Sequence, residues 1–285
     1  MAEPNRNPNP AEVFSANLAF IRHKEENLRT LARIQMEEAV RAALPSLSSP
    51  PTPDECAELF ASMEGDDFAG FCAAVSRICS PAPGDNTSAA PSGPAEENVR
   101  IAYLQNAFSD QAYRIFSAGL AGPEQTAAVY FPGFREVAEE VYSGRATHAI
   151  LPVASSEDGP VLSFRRLIGR YDLKITAAAD IPLDEERTMR FALLRRRLPP
   201  PPYTASWLEL SAVPTDEMSA GALLSACERF GAVLVSAGSH PAGPEEDRNV
   251  LDLTFDLRGA DPFALYLFLE GSHVRYETVG SYELL

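Results

Sequence analysis

Lysine is close to absent from this chain: Lys24 and Lys174 are the two that occur in 285 residues, and the remaining cations are arginine. Basic charge is scarce altogether, with 24 Lys and Arg against 40 Asp and Glu, a formal charge of -16 and a pI near 4.7. A field of that sign repels nucleic acid and anionic lipid, which excludes a basic-groove binder. Any anionic ligand needs a local arginine. Nowhere do about eighteen apolar residues run together, and the opening MAEPNRNPNP has no apolar core of a signal peptide, so neither a membrane span nor export is expected. The four cysteines, Cys56, Cys72, Cys79 and Cys227, have no CxxC spacing and no neighbouring histidine. That excludes zinc and leaves buried thiols in a reducing, cytoplasmic setting. Glu157 and Asp158 have no third acidic or imidazole ligand near them, so no metal and no cofactor are expected. Internal repeats are absent.

What is there can bury a core, since 45% of the residues are hydrophobic, and the length fits two or three units. The most legible stretch runs from Phe134 to Val161. Phe134, Val137, Val141 and Tyr142 recur at helical spacing, Gly144 terminates, and the run Ala149 to Val153 is apolar on every side, as in a strand covered on both faces. Ser155, Ser156 and Gly159 then form its carboxyl-end loop, the place where open α/β sheets hold ligands. His148, just ahead of that strand, reads as a packed histidine.

Before this stretch, residues 11 to 44 read as one long helix with an apolar stripe of Val13, Phe14, Leu18, Ile21, Leu28, Leu31, Ile34 and Val40. Two shorter helices follow at 53–63 and 66–78, making residues 1–79 a helical unit. A Pro/Ser/Gly-rich linker occupies 80–98. Strands are expected at 99–104, 126–131, 173–177 and 190–195, alternating with helices at 107–116, 134–142 and 162–168, so residues 99–198 form a layered α/β domain. After a proline spacer at 199–205 come a strand at 207–213, a helix at 219–230, strands at 232–236 and 250–257, a helix at 261–269 and a closing strand at 274–282. That βαββαβ order over 206–285 is ferredoxin-like. The fold class is therefore α/β plus α+β.

Three short stretches in a fixed order resemble the prephenate dehydratase family, and the order of units is similar to chorismate mutase/prephenate dehydratases ending in an ACT domain. Tyr103-Leu104-Gln105-Asn106-Ala107-Phe108-Ser109 echoes the family's turn into Phe-Ser. Pro152-Val153-Ala154-Ser155-Ser156 stands where Pro-Ile-Glu-Asn-Ser is usual, and Asp172-Leu173-Lys174-Ile175 keeps Asp-Leu-x-Ile. The catalytic Thr-Arg-Phe reads Thr188-Met189-Arg190-Phe191, with Met189 in place of the threonine. Between Ile175 and Arg190, where the family inserts a second lobe with a His-Pro-Gln motif, there is a short loop.

The resemblance implies a periplasmic-binding-protein-like α/β domain reduced to a single lobe. It implies catalytic roles for Thr188, Arg190 and Ser156, and prephenate contacts from Ser109, Ser155 and Phe191. In the last unit Gly221-Ala222-Leu223 and Gly238-Ser239-His240-Pro241 resemble the effector motifs of ACT domains that bind phenylalanine, with Val279-Gly280-Ser281-Tyr282 closing. Gly221, Ala222, Leu223, Ser239 and His240 are thus implied effector contacts, and edge-to-edge pairing implies a homodimer. The first unit is faintly similar to a chorismate mutase, although the Arg-Arg-Lys spacing of that family does not map onto Arg22, Arg29, Arg33 or Arg41. Three readings stay open: a prephenate dehydratase of phenylalanine biosynthesis, a noncatalytic amino-acid sensor or subunit-pairing protein, and a chorismate mutase.

Overall fold

The computed structural model describes residues 9–46, 51–61, 63, 65–79, 99–120, 126–198, 205–216, 218–243, 246–272 and 274–285. The expected linker and most of the proline spacer lie outside them. Three helices come first: α1 (Pro10–Ala43), α2 (Pro53–Phe60) and α3 (Gly65–Cys79). The next elements alternate: β1 (Val99–Leu104), α4 (Ala107–Leu120), β2 (Thr126–Phe131), α5 (Phe134–Tyr142), β3 (His148–Ser155), the short β4 (Gly159–Pro160) and α6 (Leu162–Arg170). Two strands, β5 (Lys174–Pro182) and β6 (Thr188–Arg195), complete this half. The remainder is β7 (Trp207–Val213), α7 (Ala220–Arg229), β8 (Val233–Gly243), β9 (Glu246–Asp256), α8 (Pro262–Gly271) and β10 (Arg275–Leu284).

All ten strands join one mixed sheet, in the order β2-β1-β3-β6-β5-β10-β7-β9-β8 with β4 paired to β3. Strands β2, β1 and β3 run parallel. Because β1, α4, β2, α5 and β3 alternate and the chain returns across β1, α4 and α5 cover opposite faces. On the α5 and α6 side Val137, Val141, Leu151, Ile168 and Leu173 are buried together; on the α4 side lie Ile101, Tyr103, Phe116, Ile150 and Phe191. Strand β3 is buried along six of its eight residues, as its continuous apolar run requires. It tolerates Pro152 at its centre because the pairing with β6 shifts register between Pro152 and Ala154, a bulge where the missing N–H goes unneeded.

The last four strands form an antiparallel group, β10-β7-β9-β8, entered as strand, helix, strand, strand, helix, strand. This group fuses to the rest through a parallel pairing of β10 with β5. Gly280 permits it: a Cβ there would stand 2.7 Å from the Cβ of Ile175. Asp172, at the turn from α6 into β5, has φ 47°. The left-handed region tolerates Asp better than most residues, so that part of the Asp-Leu-x-Ile resemblance has a backbone reason.

The helical unit shares a core with the C-terminal group. Phe68, Phe71, Cys72 and Val75 of α3 are buried with Leu265, Phe268 and Leu269 of α8 and Leu223 and Phe230 of the α7 region. Ser76 donates a 2.7 Å hydrogen bond to Asp261, the residue that caps α8 by accepting from the N–H of Ala264 at 3.0 Å. The expected stripe on α1 is a different matter. Val40 is buried, but Phe14 is 68% exposed and Val13, Leu18, Ile21, Leu28, Leu31 and Ile34 are exposed as well. The periodicity of α1 marks a helix whose apolar face has no described partner within the chain. Among the described residues no helix is long and apolar enough to cross a membrane, and no cluster of three or more His, Cys, Asp or Glu is placed to hold a metal ion. All four cysteines are free thiols; Cys56, Cys72 and Cys227 are buried, and burial pushes the Cys56 thiol up to about 11 and Cys227 up to about 12.

Candidate functional site

Strands β1 and β3 are parallel neighbours, β3 running on past the end of β1, and the chain leaves them toward opposite faces of the sheet. Such a divergence opens a crevice for a ligand. At the end of β1, Asn106 caps α4 by accepting from the N–H groups of Phe108 (3.0 Å) and Ser109 (2.9 Å). Ser109 is 1% exposed, and its hydroxyl has no hydrogen-bond partner among the described residues. At the end of β3 the hydroxyl of Ser155 accepts from the N–H of Asp158 at 2.8 Å, closing the turn into β4. The N–H of Ser156 donates to the carbonyl of Thr188, and the N–H of Thr188 donates to the hydroxyl of Ser156, each at 2.9 Å. That reciprocal pair pins the loop after β3 to the start of β6.

The sheet separates the predicted substrate residues. Phe191 is buried with Phe116 and Ile150 on the α4 face, the side on which Ser109 sits one turn before buried Ala112. Arg190, the next residue along an alternating strand, points to the other face. There its Nε and Nη2 donate to the two carboxylate oxygens of Asp180 at 2.8 and 2.9 Å, and its guanidinium lies 5.5 Å from the ring centre of Trp207. The bond to Asp180 holds Arg190 above the ordinary guanidinium range, against the opposing effect of burial. Arg190 is thus engaged twice by the protein itself. The implied grouping of Ser109, Ser155, Ser156 and Arg190 around one ligand becomes two half-sites: Ser109 at the start of α4, and Ser155, Ser156 and Thr188 at the end of β3, with Arg190 behind the latter.

A buried polar chain continues from Arg190 toward the C-terminal group, and sequence reading missed it. Glu209 on β7, 6% exposed, accepts from the Tyr282 hydroxyl at 2.7 Å and pairs with Arg165 of α6 at 3.0 Å. Tyr282 stacks on Trp207 at 6.4 Å, and burial followed by the Glu209 charge raises its hydroxyl above the ordinary range. Asp180 was the one traceable partner, since a tight turn between β5 and β6 puts it opposite Arg190. Trp207 and Glu209 carried no local signal, and Tyr282 stood out only as the end of the closing Val279-Gly280-Ser281-Tyr282 stretch.

The short loop expected between Ile175 and Arg190 is this turn. Leu183 donates its N–H to the Arg187 carbonyl at 2.8 Å, and the Asp184 carboxylate accepts from the N–H of Glu186 (3.1 Å) and of Arg187 (2.8 Å). Arg187 also donates through its side chain, and this keeps the Asp184 carboxyl below the usual range.

In the C-terminal group, Gly221 and Ala222 are exposed in the first turn of α7, capped by the Ser219 hydroxyl accepting from the N–H of Ala222 at 3.2 Å. Leu223 is buried in the core. The expected loop of Gly238 to Pro241 is instead strand: Gly238 pairs with Asp252, Ser239 with Leu251 and His240 with Val250. Gly and Pro hid this extension, because β8 is the outermost strand and such residues are tolerated there. His240 is exposed, 3.4 Å from the Asp252 carboxylate. His148, 2% exposed with its Nδ1 2.9 Å from the Thr147 hydroxyl, is the packed histidine the sequence leads one to expect.

This architecture is a mixed α/β fold in which the parallel strands β2, β1 and β3 are extended by an antiparallel group. Residues 101–186 match the model of the prephenate dehydratase family. The solved prephenate dehydratase of Streptococcus mutans is similar over 66% of this chain and 99% of its own, with 22% identity and a TM-score of 0.52, a likeness of fold. The prephenate dehydratase of Arthrobacter aurescens in complex with L-Phe matches at 16% identity over 65% of this chain and 90% of its own, TM-score 0.46. A structure described as GqqA, a novel type of quorum quenching acylase, matches at 21% identity over 64% and 94%, also at 0.46. No curated protein matches the chain.

Proposed function

We propose that this chain is a prephenate dehydratase-type protein of phenylalanine biosynthesis that binds prephenate and converts it only slowly, with loss of water and carbon dioxide, to phenylpyruvate. The observation that carries the reading is the loop after β3, where Ser156 is pinned to Thr188 at the start of β6, inside or next to the stretch that matches the family. The unpaired buried hydroxyl of Ser109 at the start of α4 supplies a donor for a substrate oxygen or the departing hydroxyl. Thr188 and Ser156 are the proposed polar catalytic groups, and Arg190 the proposed carboxylate anchor.

Asp180 decides how well that anchor works, because a substrate carboxylate has to compete with a bidentate partner already in place. Calorimetric titration with prephenate is expected to give roughly tenfold tighter binding for Asp180→Asn than for the wild-type chain. The same change in an Arg190→Ala background is expected to do nothing. Equal affinities in all four proteins would remove Arg190 from the site.

A second reading, a noncatalytic amino-acid sensor, is favoured by the tight turn that stands where a second lobe would be. The C-terminal strand order β10-β7-β9-β8 supports a ferredoxin-like ACT module, and we assign it the binding of an amino acid such as phenylalanine near Gly221, Ala222, Ser239 and His240. Leu223 supports that site from the core. We further assign a homodimer, working in the cytoplasm, in which the outermost strand β8, with Val233 and Val235 exposed, or the bare stripe of α1 meets its copy. Light scattering with and without L-phenylalanine is expected to report a dimer, and calorimetry to report heat on adding it. A monomer without any heat of binding would sink both assignments.

A further inference from the structure

A groove of about 600 Å³ lies between α1, α3 and the end of α7, away from the crevice just described. Four of the residues lining it are arginines: Arg29 and Arg33 on α1, Arg77 in the last turn of α3 and Arg229 in the last turn of α7. Asp67 is the one carboxylate among the lining residues, and Met36 and small residues form the remainder. Arg77 also donates to Glu37 at 2.8 Å, and Glu37 pairs with Arg41 at 3.5 Å, so part of that acid's charge is spent outside the groove.

Arg29 and Arg33 stand four residues apart, stacked on one helix face where like charges repel. No hydrogen bond joins either to a described residue, although the Glu37 carboxylate one turn on lies close enough to Arg33 for the two charges to act on each other. In a chain of net charge -16, concentrating four guanidinium groups in one concavity runs against the overall balance. Beyond roughly 8–10 Å the distant negative charge is screened at physiological salt, so the local arginines set the potential inside.

We propose that this groove binds a small anion bearing two or more carboxylate or phosphate groups. Planar guanidinium forks recognise both chemistries in bidentate fashion, and arginines arriving from three helices demand more than one anionic group. The volume falls within the few hundred to about 1,000 Å³ typical of small-molecule sites. Long polyanions are disfavoured by the charge of the surrounding surface. Arg29 and Arg33 belong to the N-terminal helix and Arg229 to the C-terminal group, so an occupant ties the two together and stabilises their docking by mass action.

The test is calorimetric titration of the full chain with citrate and, separately, with inorganic pyrophosphate, at low and at physiological salt. The expected result is binding of at least one probe at millimolar concentration or below, weakened by salt, with a rise in melting temperature. The Arg29→Gln/Arg33→Gln double variant is expected to bind at least about tenfold more weakly, whereas Arg22→Gln, on the same helix but outside the groove, is expected to match the wild type. A preference for citrate narrows the class to carboxylates, and a preference for pyrophosphate to phosphates. Failure of both probes to bind, or equal binding by the double variant with an unchanged circular dichroism spectrum, overturns the assignment.

Discussion

Replacing Phe268 by alanine is expected to cost about 3–5 kcal/mol of stability, the range for deleting a fully buried aromatic side chain. Phe268 is 1% exposed and lies with its ring centre 5.9 Å from that of Phe68 and 5.6 Å from that of Phe230. Phe68 comes from the N-terminal helices and Phe230 from the C-terminal group, so the cavity opens at the seam between them. For a chain of this size the loss corresponds to a melting temperature lower by roughly 10 °C. Phe268→Leu is expected to recover part of it, since leucine refills some but not all of the space the ring leaves. If the N-terminal helices were a separately folded attachment, the alanine variant would instead lose stability in a second, independent transition seen by calorimetry.

The second large effect is expected at Gly280. A Cβ at this position meets the Cβ of Ile175 at 2.7 Å, its carbonyl oxygen at 3.2 Å and the ring of Tyr282 at 3.2 Å. Two of these neighbours cannot rotate away, because they are fixed to strand backbone. Gly280→Val is therefore expected to force β10 off β5 at a cost of about 3 kcal/mol, the upper part of the range for overpacking. The break exposes the edge of β5 and disturbs the chain of Tyr282, Glu209 and Arg165 beside it. Faster amide exchange in β5 and β10 than in β1 and β3 is the measurement that checks it. Uniform exchange, or a variant as stable as the wild type, would show that the sheet is not continuous at this seam.

These two seams mark where the sequence stops being readable. Strands β1, β2 and β7 have the limits that alternation and apolar runs assign to them, since each is half or fully buried and its pattern is set by its own neighbours. Gly144, with φ 75°, ends α5 as its position promises. The seams depend on contacts distant in sequence. The run Phe263-Ala264-Leu265-Tyr266-Leu267-Phe268-Leu269 was the available clue to the first: a helix apolar on all sides has to be covered on all sides, and α3 supplies the missing cover. The stripe of α1 misleads in the opposite sense, because periodicity reports a face able to bury and not what buries it.

Within the candidate site the residue types were legible and their company was not. Ser155, Ser156 and Thr188 come together because the bulge at Pro152 and the turn at 183–187 align β3 with β6. Arg190 stood out in the sequence as a carboxylate-binding candidate in a strand-like run, yet its engagement by Asp180 follows only once the loop between β5 and β6 is known to be a tight turn. The alternation that places Arg190 and Phe191 on opposite faces was open to inspection from the start. It was overridden by a motif in which the two are neighbours.

The centre of the account is the proposed anchor, an arginine already held by Asp180 at both carboxylate oxygens before any substrate arrives. The most direct measurement is phenylpyruvate formation by the purified chain at saturating prephenate. The account predicts a kcat below about 0.01 s⁻¹, against the roughly 10 s⁻¹ common among enzymes. A rate in that ordinary range would contradict it.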